Sequence, residues 1–124
     1  MARIIGLVGH CGPDSYMLRS AVKYAVADSD VRMLNDDSSV ERAMEAGATL
    51  LLINRTLDGG FDEEQGVELV RKLKTSHPAV KTMLISNYAD AQSAAVAAGA
   101  LEGFGKSEIG SPKMKQRLAD AFKE

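Results

Sequence analysis

Apolar positions along the chain fall into five short, nearly unbroken runs, separated by stretches in which they recur every three or four residues. A continuous apolar run of this length suits a strand covered on both faces, and the three-to-four spacing suits an amphipathic helix. The strands are read as RIIGLVG from Arg3, VRML from Val31, TLLLIN from Thr49, KTMLIS from Lys81 and the short GFG from Gly103. The first, third and fourth are richest in Ile, Leu, Val and Met, which makes them the central strands.

The intervening stretches carry helix signals. Asp14 is expected as an N-cap, followed by Met17, Leu18, Ala21, Val22 and Ala25; Ser38 and Glu41 form a capping box ahead of Val40, Ala43 and Met44. Asp62, Glu63 and Glu64 are expected in the first turn of the third helix, with Val67, Val70 and Leu73 as its apolar stripe and Lys72 and Lys74 near its far end. Ser111 and Pro112 open the last helix. AMEAGATLLLI from Ala43 and AVAAGALEGFG from Ala95 share a helix-to-strand joint in which Gly47 and Gly99 take left-handed backbone. Five repeats of strand and helix predict an α/β fold: a flavodoxin-like (βα)5 three-layer sandwich with a parallel sheet of order 2-1-3-4-5.

Composition narrows the function. A length of 124 residues favours one domain over residues 1–124, with no output domain expected after the last helix. Fifteen Lys and Arg against 17 Asp and Glu, net charge -2, argue against binding nucleic acid or an anionic membrane wholesale. One cysteine, Cys11, permits no internal disulfide, and the N-terminal apolar run is too short for a leader or a membrane span, so the expected compartment is the cytoplasm.

In sheets of this order, ligands and reactive groups gather beyond the carboxyl ends of the strands. That end collects GHCGPDS after strand one, NRT after strand three, SNY after strand four and GKS after strand five. LLLINRTL, MLIS and AGALEGFGKS, in this order, resemble the receiver domains of two-component response regulators, and the resemblance covers nearly the whole chain. A receiver takes a phosphoryl group on an Asp at the end of the third strand, with Mg²⁺ held by that Asp and two acids after the first. Here the phosphoacceptor position is Asn54, and the acid pair aligns with Gly9 and His10. An amide is no nucleophile at neutral pH, and Mg²⁺ depends on carboxylate oxygens. Ser86 and Lys106 keep the positions that contact the phosphoryl group in receivers, Arg55 adds a cation, and Lys106 is left without its usual counter-charge. Gly103 stands where receivers often carry an aromatic switch residue, and Ser107 replaces the proline after the Lys.

The resemblance therefore implies a stand-alone pseudo-receiver, not an enzyme, that acts through contact with unknown signalling proteins and needs no cofactor. The alternative is a small-anion or phosphometabolite sensor that uses Ser86, Lys106 and Arg55 at a helix N-terminus. Against it stands the expectation that Lys106 simply bonds the Asn54 oxygen while Arg55 points to solvent. A remote alternative is a cysteine-dependent phosphatase built on His10, Cys11, Arg19 and Ser20. Seven residues separate Cys11 from Arg19, two more than that family's loop, which places Arg19 in the helix body. His10, Cys11 and Asp14 lack zinc-ligand spacing, so no metal is expected; His10 reads as a buried polar residue and Cys11 as a small hydrophobe. His77 reads as a turn residue, and Tyr16 and Tyr88 as packing or surface. No GxGxxG or GxxxxGK[ST] run occurs. The Ala-rich fourth helix allows close approach of a second copy, a homodimer contact, or tight packing on its own sheet.

Overall fold

The computed structural model describes residues 3–122. Five parallel strands, β1 (Arg3–Val8), β2 (Ser29–Leu34), β3 (Leu50–Asn54), β4 (Lys81–Ile85) and β5 (Leu101–Phe104), form one sheet of order β2-β1-β3-β4-β5. The helices are α1 (Gly12–Ala25), α2 (Asp37–Glu45), α3 (Gly66–Ser76), α4 (Ala89–Ala97) and α5 (Pro112–Ala121). This is the flavodoxin-like (βα)5 arrangement expected from the strand and helix spacing.

Every residue of β3 is buried. Because successive side chains alternate across a sheet, Leu50 and Leu52 join the α1 and α5 core while Leu51 and Ile53 join the α2, α3 and α4 core. Each of these leucines contributes roughly 1.5–3 kcal/mol by burial. Register ties the layers together: Ile5 and Lys81 flank Leu50, and Val8 and Leu84 flank Ile53.

Several helix starts differ from expectation. Cys11 is the N-cap of α1, because Pro13 needs no backbone donor in the first turn, and Asp14 lies inside that turn. Asp36 caps α2 by accepting from the Ser39 N–H while Ser39 accepts from the Asp36 N–H, so the box is one Asp36–Ser39 pair and not Ser38 with Glu41. The third helix starts at Gly66, leaving Asp62, Glu63 and Glu64 in a long loop that docks on α2 through the Asp62 N–H and the Asp37 carboxylate. Glu68 takes the expected place of first-turn acid in α3. Ser111 does cap α5, accepting from the Met114 N–H. Gly47 and Gly99 both have positive φ, 98° and 116°. His77 ends α3 and bonds Glu41 at 3.1 Å. The residues at 123 and 124, read above as the end of the domain, lie outside the described residues.

The fourth helix is held unusually. Only Ala95 among its residues is fully buried, so its small side chains supply little apolar anchoring. Gln92 supplies a polar anchor instead, at a break in the β4–β5 ladder described below.

Candidate functional site at the strand ends

The loops after β1, β3, β4 and β5 converge beyond the sheet. Asn54 ends β3 almost fully buried, at 7% exposure. Its Nδ2 donates to the Gly9 carbonyl at 3.0 Å and to the Thr56 carbonyl at 2.7 Å, and its Oδ1 accepts from the Arg55 N–H at 3.1 Å. Carbonyls only accept and a backbone N–H only donates, so the chemistry of the partners fixes the amide's orientation. The side chain is thus used up in stapling β3 to the β1 loop.

Gly9 is the second half of that staple. It has φ 72°, and a Cβ placed on it would lie 2.7 Å from Cδ2 of Leu57. A larger residue would be strained in conformation and blocked by a packed leucine. His10 turns inward: it is buried, and its Nε2–H donates to the Leu52 carbonyl at 2.9 Å. Burial pushes its pKa below the usual imidazole value, partly opposed by that hydrogen bond. The ring is therefore a structural tie. Ser15 adds to it, its Oγ–H donating to the His10 carbonyl at 3.1 Å.

Lys106 differs from both expectations. Its Nζ pairs with Oδ2 of Asp14 at 3.1 Å, not with Asn54, so a carboxylate in the first turn of α1 provides its counter-charge. The ammonium hydrogen bond, with a further one from the Cys11 thiol, holds the Asp14 carboxyl below its ordinary value. Arg55 does not point to solvent; its guanidinium lies 4.6 Å from the Tyr88 ring centre, a cation–π contact. Tyr88 is in turn set by its own N–H, which donates to Ser86 Oγ at 3.1 Å. These groups enclose a cavity of about 300 Å³ lined by Asn54, Arg55, Thr56, Ser86, Tyr88 and Lys106, among others.

The structure therefore brings Asn54, Gly9, Arg55, Ser86 and Lys106 to one place and turns His10 away from it. Among the described residues no group of three or more His, Cys, Asp or Glu is arranged to hold a metal ion. Arg19 is exposed on α1, eight residues past Cys11 and so about 12 Å along the axis at 1.5 Å per residue. It does not fold around the Cys11 loop. No described helix is long and apolar enough to cross a membrane.

Sequence reasoning missed Gln92. Opposite Met83–Ile85, β5 carries one extra residue between Leu101 and Phe104, a bulge. The Gln92 side chain enters the gap: Nε2 donates to the Leu84 carbonyl at 2.8 Å and the Ser86 carbonyl at 3.1 Å, and Oε1 accepts from the Gly103 N–H at 3.2 Å. A Cβ on Gly103 would sit 2.1 Å from the Leu84 oxygen. A glycine inside so short a strand was the available signal, since it marks a bulge or a close approach.

No protein-family profile matches the chain, and no curated protein matches it. Solved structures do. A response regulator from Thermotoga maritima superimposes with TM-score 0.77 at 14% identity, covering 98% of each chain. The signal receiver domain of a DNA binding response regulator from Colwellia psychrerythraea 34H gives 0.73 at 13% identity, covering 97% of each. NtrX from Brucella abortus gives 0.76 at 20% identity, covering 97% of this chain but only 26% of NtrX, so the chain spans about a quarter of that protein's length. The chain has the fold of response-regulator receiver domains.

Proposed function

We propose that this chain is a pseudo-receiver: a receiver-fold module of two-component or phosphorelay signalling that acts by protein contact and accepts no phosphoryl group. One observation carries the reading. The side chain at the phosphoacceptor position is an amide with three hydrogen bonds to neighbouring backbone, and the adjoining acid position is a glycine whose space Leu57 fills. Nothing at this position is free to attack phosphorus. No catalytic chemistry of its own is assigned to the chain, and the cytoplasm is the compartment this role implies.

The test is incubation with acetyl phosphate and Mg²⁺ followed by intact-mass measurement. The reading expects no phosphoryl adduct, and a stable Mg²⁺-dependent adduct overturns it.

The cavity supports a second reading, a small-anion sensor, because Arg55 and Lys106 both border it with Ser86. Pairing of Lys106 with Asp14 halves the cationic charge left for an anion. A saturable rise in melting temperature with phosphate or sulfate, lost in Arg55→Ala, would select this reading over the first.

A further inference from the structure

Small side chains meet where α4 crosses β5. Ala89, Gln92, Ser93 and Val96 recur three or four positions apart, so they share one face of α4, the face turned toward β5 and α5. Gln92 is the longest of them, and its amide is drawn down into the β4–β5 gap. Ala89 and Ser93 leave the space above open, and β5 contributes glycines at 103 and 105. The result is a cavity of about 700 Å³ between α4, β5 and α5, within the range of roughly 300–1,000 Å³ usual for small-molecule sites. Ser86 and Asn87 form the wall it shares with the cavity bordered by Arg55 and Lys106.

Its two sides differ in chemistry. The α4 side is apolar: Val96, 44% exposed, stands there with Ala89. The α5 side is cationic, because Lys113 and Arg117 lie four apart and face the cavity together. Glu108 pairs with Lys113 at 3.1 Å, but it also accepts from the Gly105 N–H at 2.7 Å, so that acid belongs to the turn after β5. Glu102, which accepts from Arg117 Nη1 at 2.9 Å, is 68% exposed, and water screens the pair. Arg117 Nε is buried with no hydrogen-bond partner. A buried donor without an acceptor is costly, which makes this one a group that a ligand can satisfy. Arg117 also stands between the large cavity and a hollow of about 170 Å³, so its guanidinium has room to turn that edge toward a carboxylate.

We propose that the cavity between α4, β5 and α5 binds a small organic acid, its carboxylate held by Arg117 and Lys113 and its apolar body laid against Ala89 and Val96. The inference goes beyond the pseudo-receiver reading and does not rest on it, since neither Asn54 nor Lys106 takes part. Inorganic phosphate supplies the charge but nothing for the α4 side. An organic acid bridges the two helices, and α4 has little apolar anchoring of its own, so binding fastens that helix.

The test titrates the ¹⁵N-labelled full chain, at constant ionic strength, with hydrocinnamate, isocaproate, the neutral hydrocinnamamide and inorganic phosphate. At least one of the two acids should give saturable amide shifts with a Kd of about 1 mM or tighter. The shifts should concentrate at residues 86–96, 102–108 and 113–117, and hydrogen exchange along α4 should slow. The amide and phosphate should each bind at least about tenfold more weakly, and Arg117→Met should weaken the acid by about tenfold. Ser93→Phe, at an exposed position of α4, should fill the cavity and abolish binding with the fold intact; it decides the matter if Arg117→Met does not fold. Equal binding of acid and amide, phosphate as the tightest of the four, shifts centred elsewhere, affinity unchanged in Ser93→Phe, no binding of either acid, or a dimer that buries the same amides without any probe would each overturn the proposal.

Discussion

Two places near the end of the sheet each set a side-chain amide against backbone groups, and they are guarded by different forces. At the end of β3, Asn54 closes the loop after its own strand and reaches across to β1. At the β4–β5 edge, Gln92 arrives from α4 to fill a gap opposite Gly103. An aspartate has almost the volume of an asparagine, so what excludes it at position 54 is charge. At position 103 the objection to any side chain is room. One site tests electrostatics, the other volume.

The largest effect is expected from placing an aromatic at position 103 in β5. In Gly103→Tyr the new Cβ would meet the Leu84 oxygen and the Gln92 Oε1, at 2.1 and 3.1 Å as the chain stands, and both neighbours are themselves hydrogen-bonded. Urea unfolding should show a loss of about 3 kcal/mol or more. A variant of near-native stability would show that α4 can swing clear, making this edge a mobile element and not a fixed one.

Asn54→Asp should cost somewhat less, about 2–3 kcal/mol at neutral pH, because a carboxylate would face two carbonyl oxygens and orphan them. Those neighbours push such a carboxyl's folded pKa above its unfolded value near ~3.9. Stability is then fullest below the unfolded value, where the protonated acid can donate to one carbonyl, and falls as pH rises through the folded one. Chemical unfolding of this variant and the parent over about pH 3–8, which brackets the ordinary carboxyl range, checks the sign. A variant as stable as the parent at neutral pH would mean the loop readily rearranges.

Legibility in the sequence follows the same division. The continuous apolar runs at Leu50–Ile53 and Met83–Ile85 announce strands buried on both faces, and right-handed connections leave few strand orders, among which the flavodoxin-like one expected is the one found. Asn54, Gly9, Ser86 and Lys106 could be placed together because each ends a strand or follows one. What could not be read is which charge meets which: Asp14 looks like a helix cap, yet the α1 start at Cys11 carries it to Lys106, ninety-two positions away. Gln92 was equally hidden, since a polar residue within an Ala-rich helix gives no sign that its amide enters the sheet.

Gln92→Ala leaves the apolar packing of α4 untouched and removes only the amide. The Gly103 N–H and the Leu84 carbonyl lose a partner, for a cost of about 1–2 kcal/mol. Global unfolding is the coarse measure. The sharper one is hydrogen exchange: the Gly103 amide should exchange at least tenfold faster, and the α4 amides should follow because little apolar contact holds that helix. Unchanged exchange at Gly103 would show that the strand pair closes without the glutamine.

The smallest effect, and the most discriminating as to sign, concerns Lys106→Met. Asp14 and Lys106 are each about a third exposed, at 33% and 39%, so water screens the pair and the loss should not exceed about 1 kcal/mol. Its pH dependence is distinctive. The Asp14 carboxyl is held low in the folded chain, first by the Lys106 ammonium. A depressed acid contributes stability above its unfolded pKa and loses it as pH falls through the folded value. Removing Lys106 takes away the main cause of the depression, so the difference between parent and variant should be greatest near neutral pH and vanish in acid. Asn54→Asp behaves in part alike, its penalty also fading in acid, but there the variant's own carboxyl is raised whereas here the parent's is lowered. Titration of the Asp14 carboxyl carbon by NMR separates the two cases directly: in Lys106→Met it should move up toward the ordinary range. A carboxyl that stays equally low would assign the depression to the Cys11 thiol and leave Lys106 free to meet an anion in the cavity.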